Sequence, residues 1–242
     1  MKIPVICIVT IVCLTSALSF LKYRESPRND LNTIRKRVIP EIKEELEEKG
    51  LELGSKVFIR IFKEEEILEL WLQENGERTF KLFKSFPICN YSGHLGPKLE
   101  EGDLQAPEGF YSVGKSKMNP NSKFHLSFNL GFPNSLERSL GRTGSFLMVH
   151  GACVSTGCFA MTNKWIEEIY LTAEASLDSG NRSFDVHCFP FRMTESRMEK
   201  ASSHRWISFW ENLKQGYDWF ESEKVPPRVG HNDRIYTFKD AF

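Results

Sequence analysis

Phe146-Leu-Met-Val-His150-Gly151-Ala-Cys153-Val-Ser155-Thr-Gly157-Cys158-Phe-Ala-Met161 is the stretch on which the reading of this 242-residue chain turns. Phe146 to Val149 is a short apolar run that suits a buried strand. The small residues after it predict a tight backbone excursion rather than a continued strand. His150 then stands at a strand end, placed to hydrogen-bond the thiol of Cys158 and to help hold it as thiolate, the nucleophilic form. Gly157 lacks a Cβ and lets a substrate carbonyl approach the backbone. The amides of Gly157 and Cys158 are candidates for an oxyanion hole. Three other readings share these residues. His150, Cys153 and Cys158 with His187 or Cys188 would make four metal ligands, although the paired knuckles of structural zinc sites are missing. Cys153 and Cys158 are near enough in sequence to pair as a disulfide in an exported protein. Cys158 as an inert core thiol is the third, and the glycines around it argue against tight packing there.

Around this segment the pattern is one of short strands. Val57, Ile59 and Ile61 alternate with Phe58, Arg60 and Phe62, and further strands are expected at Leu68 to Leu72 and Thr79 to Phe83, with Asn75-Gly76 as the hairpin between the last two. Others are expected at Gly109 to Val113, Phe124 to Asn129, Ser145 to His150 and Ser183 to Cys188. Gly, Pro and Asn clusters separate them, which predicts a mainly β chain with appended helices, an α+β fold built as a β-sandwich or a curved mixed sheet. Before the strands, Leu31, Ile34, Val38, Ile42 and Leu46 recur at helical spacing, with Asn29 or Asp30 as cap, Gly50 as stop and Pro40 as a break or kink. This reads as a helical arm over residues 28–50. Asn163 is expected to cap a helix carrying Ile166, Ile169, Tyr170 and Ala173. A further helix from about Ser203 to Ser222 presents Trp206, Phe209, Trp210, Leu213, Tyr217 and Phe220 to the sheet, followed by an edge strand at Arg234 to Phe238. The expected division is 55–200 for the catalytic domain and 201–242 for a C-terminal helix and edge extension.

Lysine and arginine number 32, as do aspartate and glutamate, so no global field recommends a nucleic-acid partner. Met1-Lys2 precedes an uncharged apolar run from Ile3 to Leu21 that ends among small residues, which marks 1–21 as an export signal or membrane anchor, with cleavage favoured. The protein is therefore expected in the periplasm, at a membrane only if that segment is retained. Cys13 follows the bulky Val12, against a lipoprotein site. After export, Cys89, Cys153, Cys158 and Cys188 remain, and four thiols allow three complete pairings. A working Cys158 leaves one disulfide at most among the others, and Cys89 with Cys188 is a pair only if the fold brings them close. Arg142, in Gly141-Arg142-Thr-Gly144, is a candidate for binding a substrate carboxylate or for a structural salt bridge. His125 is a candidate for the cleft wall or for a satisfied sheet position.

His150-Gly151 followed by a short loop and Ser155-Thr156-Gly157-Cys158 resembles the signature of the L,D-transpeptidase catalytic domain of the YkuD type, and residues 85–200 are similar to that domain as a whole. The short loop with Cys153 inside it resembles the YafK-like branch. So do Phe86-Pro87-Ile88-Cys89, Gln105-Ala106-Pro107-Glu108-Gly109, Met118-Asn119-Pro120-Asn121 and Phe189-Pro190-Phe191-Arg192-Met193. Phe159-Ala160 departs from the family, in which Arg or Asn commonly follows at the second of these positions. The resemblance implies Cys158 as nucleophile, His150 as base and Ser155 as loop support, with no cofactor. It also implies peptidoglycan stem peptides as substrate, and a murein-linked lipoprotein as a possible partner. Cross-linking, lipoprotein attachment and hydrolytic cleavage are all activities it allows, and its YafK-like features point to cleavage. A non-catalytic peptidoglycan-binding protein is the alternative from another class.

Overall fold

The structure, a computed structural model, describes residues 30–232 and 234–241. The expected export segment lies outside the described residues. Two five-stranded sheets carry the architecture. The first has the order β3-β2-β1-β10-β5, with β1 at Val57–Phe62, β2 at Ile67–Gln73, β3 at Phe80–Pro87, β5 at Gly109–Gly114 and β10 at Ser183–Phe189. The second has the order β4-β9-β8-β7-β6, with β4 at Asn90–Tyr91, β6 at Met118–Ser122, β7 at His125–Asn129, β8 at Met148–His150 and β9 at Phe159–Ala160. Each contains one parallel pair, β1 with β10 and β8 with β9, among antiparallel neighbours. The helices are α1 at Leu31–Glu47, α2 at Ser135–Ser139, α3 at Asn163–Asp178, α4 at Glu195–Lys200 and α5 at Ile207–Glu223. The α+β expectation holds.

All six residues of β1 are buried, because the first sheet is covered on both faces. Ile59 and Ile61 face a core shared with Leu126, Phe128, Val149 and Phe159 of the second sheet and with Ile166 and Ile169 of α3. Phe62 faces a second core with Phe110, Phe189 and the α5 residues Trp210, Leu213 and Tyr217. The aromatic stripe of α5 is thus packing surface. Arg60 lies on the same face as Phe62. Its buried guanidinium is held by Glu69 at 2.8 Å and Glu221 at 2.6 Å and lies over the Phe220 ring.

Three local expectations are corrected. Helix α1 runs unbroken through Pro40, since Ile34, Val38, Ile42 and Leu46 are all buried in the main core and outweigh the lost backbone hydrogen bond. Ion pairs Arg35–Glu174 and Arg37–Glu167 clamp it to α3. The cap of α3 is Thr162, whose side chain accepts from Trp165 N, and Asn163 is used elsewhere. The C-terminal strand β12, Tyr236–Lys239, pairs with β11, Arg228–His231, in a separate two-stranded ribbon instead of extending a sheet edge.

Further buried polar side chains shape the interior. Lys63 and Glu108 are both 0% exposed and pair at 3.0 Å. The Lys63 amine also reaches the carbonyls of His94, Gly96 and Ala106, while Glu108 accepts from Gly96 N and Trp210 Nε1. Burial lowers the lysine pKa and the Glu108 charge opposes that shift. His187, 1% exposed and ringed by Phe58, Phe110 and Phe189, has a pKa pushed down to about 3 by burial, with the Arg60 charge adding to the shift.

His187 sets a pH dependence whose sign is fixed. It is neutral in the folded chain and protonated in the unfolded chain wherever the pH lies below its ordinary value of 6.5 and above about 3. Folding stability is therefore expected to fall with acidification through that window by about 1.4 kcal/mol per pH unit from this group. Urea unfolding across a pH series should show the slope in the wild type and lose it in His187→Phe. Parallel pH profiles for the two proteins would refute the assignment.

Candidate active site

Strands β8 and β9 are parallel neighbours, with Val149 opposite Phe159 and His150 opposite Ala160. The chain between them must therefore leave the end of β8, travel back and re-enter beside it, which brings Cys158 alongside Met148. The Cys158 thiol sulfur accepts from Met148 N at 3.4 Å and lies 3.6 Å from the Phe146 carbonyl. The excursion requires unusual backbone. Phe146, Ala152 and Cys153 hold positive φ without being glycine, and Gly157 sits at φ +104°. Gly151 is required for space: a Cβ there would stand 2.7 Å from Asn163 Oδ1 and 3.0 Å from the Phe124 carbonyl.

The loop is tied at several points. Asn163 Oδ1 accepts from Ala152 N at 2.9 Å, and Ser155 Oγ donates to the Cys158 carbonyl at 2.7 Å. Ser92 Oγ accepts from Gly157 N and donates to the Leu104 carbonyl. The remaining tie is covalent, a disulfide between Cys153 and Cys89. This corrects both earlier pairings, Cys89 with Cys188 and Cys153 with Cys158. Cys188 is a buried free thiol on β10, and Cys89, just before β4, donates its amide to Ala160 of the adjacent β9, close to the loop. It also removes Cys153 from the four-ligand metal set, and among the described residues no cluster of three or more metal-ligating side chains occurs.

The bridge closes 64 residues, for which chain-entropy arguments give about 4 kcal/mol. Cys153→Ser under oxidising conditions is expected to lose about 2–4 kcal/mol of stability by urea unfolding. A midpoint unchanged from the wild type, itself verified as oxidised by mass, would contradict this.

His150 is 2% exposed and lies under the Phe124 ring. Its Nδ1 is 2.6 Å from the Gly151 carbonyl. A carbonyl only accepts, so Nδ1 carries the proton and Nε2 of the neutral ring keeps its lone pair. His150 and Cys158 line one cleft of about 430 Å³ together with Lys98, Glu101, Phe124 and Phe146. Burial pushes the Cys158 thiol pKa up, against the Met148 amide and the Lys98 charge, and burial pushes the His150 pKa down against its bond to Gly151. The resting pair is a neutral thiol and a neutral imidazole. The expected hydrogen bond from His150 to the thiol is not formed: the bonds of the sulfur go to backbone.

Three other sequence candidates change role. Gly157 spends its N–H on Ser92, so it is a loop anchor and not an oxyanion donor in this geometry. Arg142 does not line the cleft; its guanidinium approaches Glu137 at 4.0 Å and lies over Phe209. His125 also stands outside the cleft, with Nε2 2.7 Å from Glu167 Oε1 on α3. Sequence reasoning did not find Ser92, Lys98 or the disulfide. Ser92 and Lys98 sit in the irregular segment between β4 and β5, where no periodicity singles out any residue. Lys98 is nearly buried, ion-paired with Asp103, and donates to the Glu100 carbonyl at 2.8 Å.

No model of a protein family matches the chain. Solved structures to which the chain is similar include the helical cell shape determining protein Pgp2 from Campylobacter jejuni and Bd1075 from Bdellovibrio bacteriovorus. Pgp2 is 19% identical with a TM-score of 0.44, over 79% of this chain and 80% of that one. Bd1075 is 16% identical with a TM-score of 0.38, over 69% and 58%. Likeness of that extent leaves the family to the sequence match. The Escherichia coli K12 protein named "Putative L,D-transpeptidase YafK" is 46% identical over 177 residues, which make up 73% of this chain and 71% of that protein. A match of that identity across most of both chains makes this protein a member of the L,D-transpeptidase family.

Proposed function

We propose that the protein is an exported cysteine enzyme acting on peptidoglycan stem peptides. Cys158 attacks the carbonyl at the L-centre of the third-position diamino acid. The thiol proton passes to His150 Nε2 as the sulfur–carbon bond forms, and His150 then gives it to the departing amine as the carbon–nitrogen bond breaks. A thioester on Cys158 results. Water, deprotonated by the same imidazole, releases the acyl group as a carboxylate and regenerates the thiol; an amine in place of water gives transfer. Release to water is the fate favoured by the YafK-like features of the sequence, so the reaction is cleavage of a linked amine or a terminal residue.

The observation that carries this reading is His150 held by Gly151 in the tautomer of a base, sharing a cleft with Cys158. Cys158 and Cys188 are the free thiols among the described residues, and Cys188 is fully buried. With Gly157 N engaged by Ser92, the Cys158 amide is the remaining candidate donor for the developing oxyanion. The apolar run before Leu21 supports export to the periplasm. Incubation of the protein with purified peptidoglycan, followed by mass spectrometry of muropeptides and of lipoprotein-linked fragments, tests the fate of the acyl group. Loss of a linked amine without new cross-links is expected. New cross-links would replace hydrolysis by transfer, and products identical to those of Cys158→Ala would favour a non-catalytic binding protein.

A further inference from the structure

A cavity of about 450 Å³ shares no lining residue with the thiol cleft. It is bounded by the α5-facing side of β5 and β10, where Phe110, Asp185 and His187 point, and by Arg228 and Val229 of β11. Its volume falls in the range of small-molecule sites.

Three cations line it: Lys117, Arg138 and Arg228. None of them enters an ion pair among the described residues, although seventeen pairs are made elsewhere. Lys117 and Arg138 are close enough that the arginine charge depresses the lysine pKa, second only to burial. Lys117 is held in place by the Ser112 carbonyl at 2.5 Å, and it occupies the space a Cβ on Gly131 would need, 2.3 Å from its amine. Like charges gathered at a cavity and left without an ion-pair partner cost stability unless an anion arrives. Asp185 is the carboxylate in the lining; burial raises its pKa and the Ser112 hydroxyl opposes that shift. A second, independent feature is His187, whose Nδ1 has no hydrogen-bond partner although the ring is buried. An orphaned polar atom in a cavity wall is a position a ligand satisfies.

We propose that this cavity is a second ligand site, for a small organic anion bearing a carboxylate or phosphate group. The anionic end lies among Lys117, Arg138 and Arg228, and the apolar body rests on Phe110 and Val229.

Titration calorimetry of the full chain at pH 7 and low salt, with phenyl phosphate, benzoate and uncharged benzyl alcohol, tests it. At least one acid is expected to bind with a Kd below about 1 mM and at least about tenfold more tightly than the alcohol. Binding by phenyl phosphate alone would identify a phosphate site, by benzoate alone a carboxylate site, and by both a general oxyanion site. The Arg138→Ala/Arg228→Ala variant, altered at two exposed side chains, should bind about tenfold more weakly while keeping the circular dichroism of the wild type, and Cys158→Ala should bind as the wild type does. Binding of neither acid would overturn the proposal. So would equal affinity in the double-arginine variant, or loss of binding in Cys158→Ala.

Discussion

Cys158→Ala is expected to remove all turnover on peptidoglycan, and His150→Gln to lower kcat by about 10²–10⁴-fold. The two effects differ for a physical reason. Without sulfur no thioester forms, whereas without the imidazole a thiol whose pKa is already raised by burial must lose its proton to water. Because both partners rest neutral, His150→Gln should recover part of its loss as the pH is raised toward the thiol pKa, and Cys158→Ala should recover none. Initial rates of muropeptide release at several pH values distinguish the cases. Equal, pH-independent loss in both variants would contradict the division of roles.

The largest change in stability is expected from breaking the Lys63–Glu108 pair. Glu108→Gln leaves a fully buried ammonium facing three carbonyls and a neutral amide, and removing one partner of a buried pair costs about 3–5 kcal/mol. The pair also fastens the end of β1, the irregular segment carrying Ser92 and Lys98, and Trp210 of α5. Its loss should loosen the wall of the thiol cleft. Replacing both residues, Lys63→Met with Glu108→Leu, should restore much of the stability, since neither charge is then left unpaired. Urea unfolding of the three proteins measures this. A Glu108→Gln variant within about 1 kcal/mol of the wild type would show that the buried lysine finds another partner or sheds its proton.

The parts of the fold that were legible in the sequence are those with a long repeat. Val57 to Phe62 alternates over its whole length, and the helical stripe from Ile34 to Leu46 recurs often enough to outweigh Pro40. The strands β4 and β9 have two residues each, and their existence depends on the loop that brings Cys158 back beside β8. Strand β6 contains Pro120, a residue that argues against a strand until its edge position is known. At the site, the sequence groups His150, Ser155 and Cys158 because they lie in one short stretch of chain, and the fold places His150 and Cys158 in one cleft. For Arg142 and His125 the sequence left two readings open, because partners distant in sequence or on another element, Glu137 with Phe209 and Glu167, decide where they point. The disulfide was beyond reach for the same reason, since four cysteines pair in more than one way and only the strand order brings Cys89 to the loop.

Intact-protein mass spectrometry after brief exposure to stem-peptide substrate tests the central claim most directly. The expected result is an added mass equal to the acyl part of the stem peptide, removable by hydroxylamine, mapped to Cys158 and absent in Cys158→Ala. An adduct on another residue, or substrate consumed by Cys158→Ala as fast as by the wild type, would contradict Cys158 as the nucleophile.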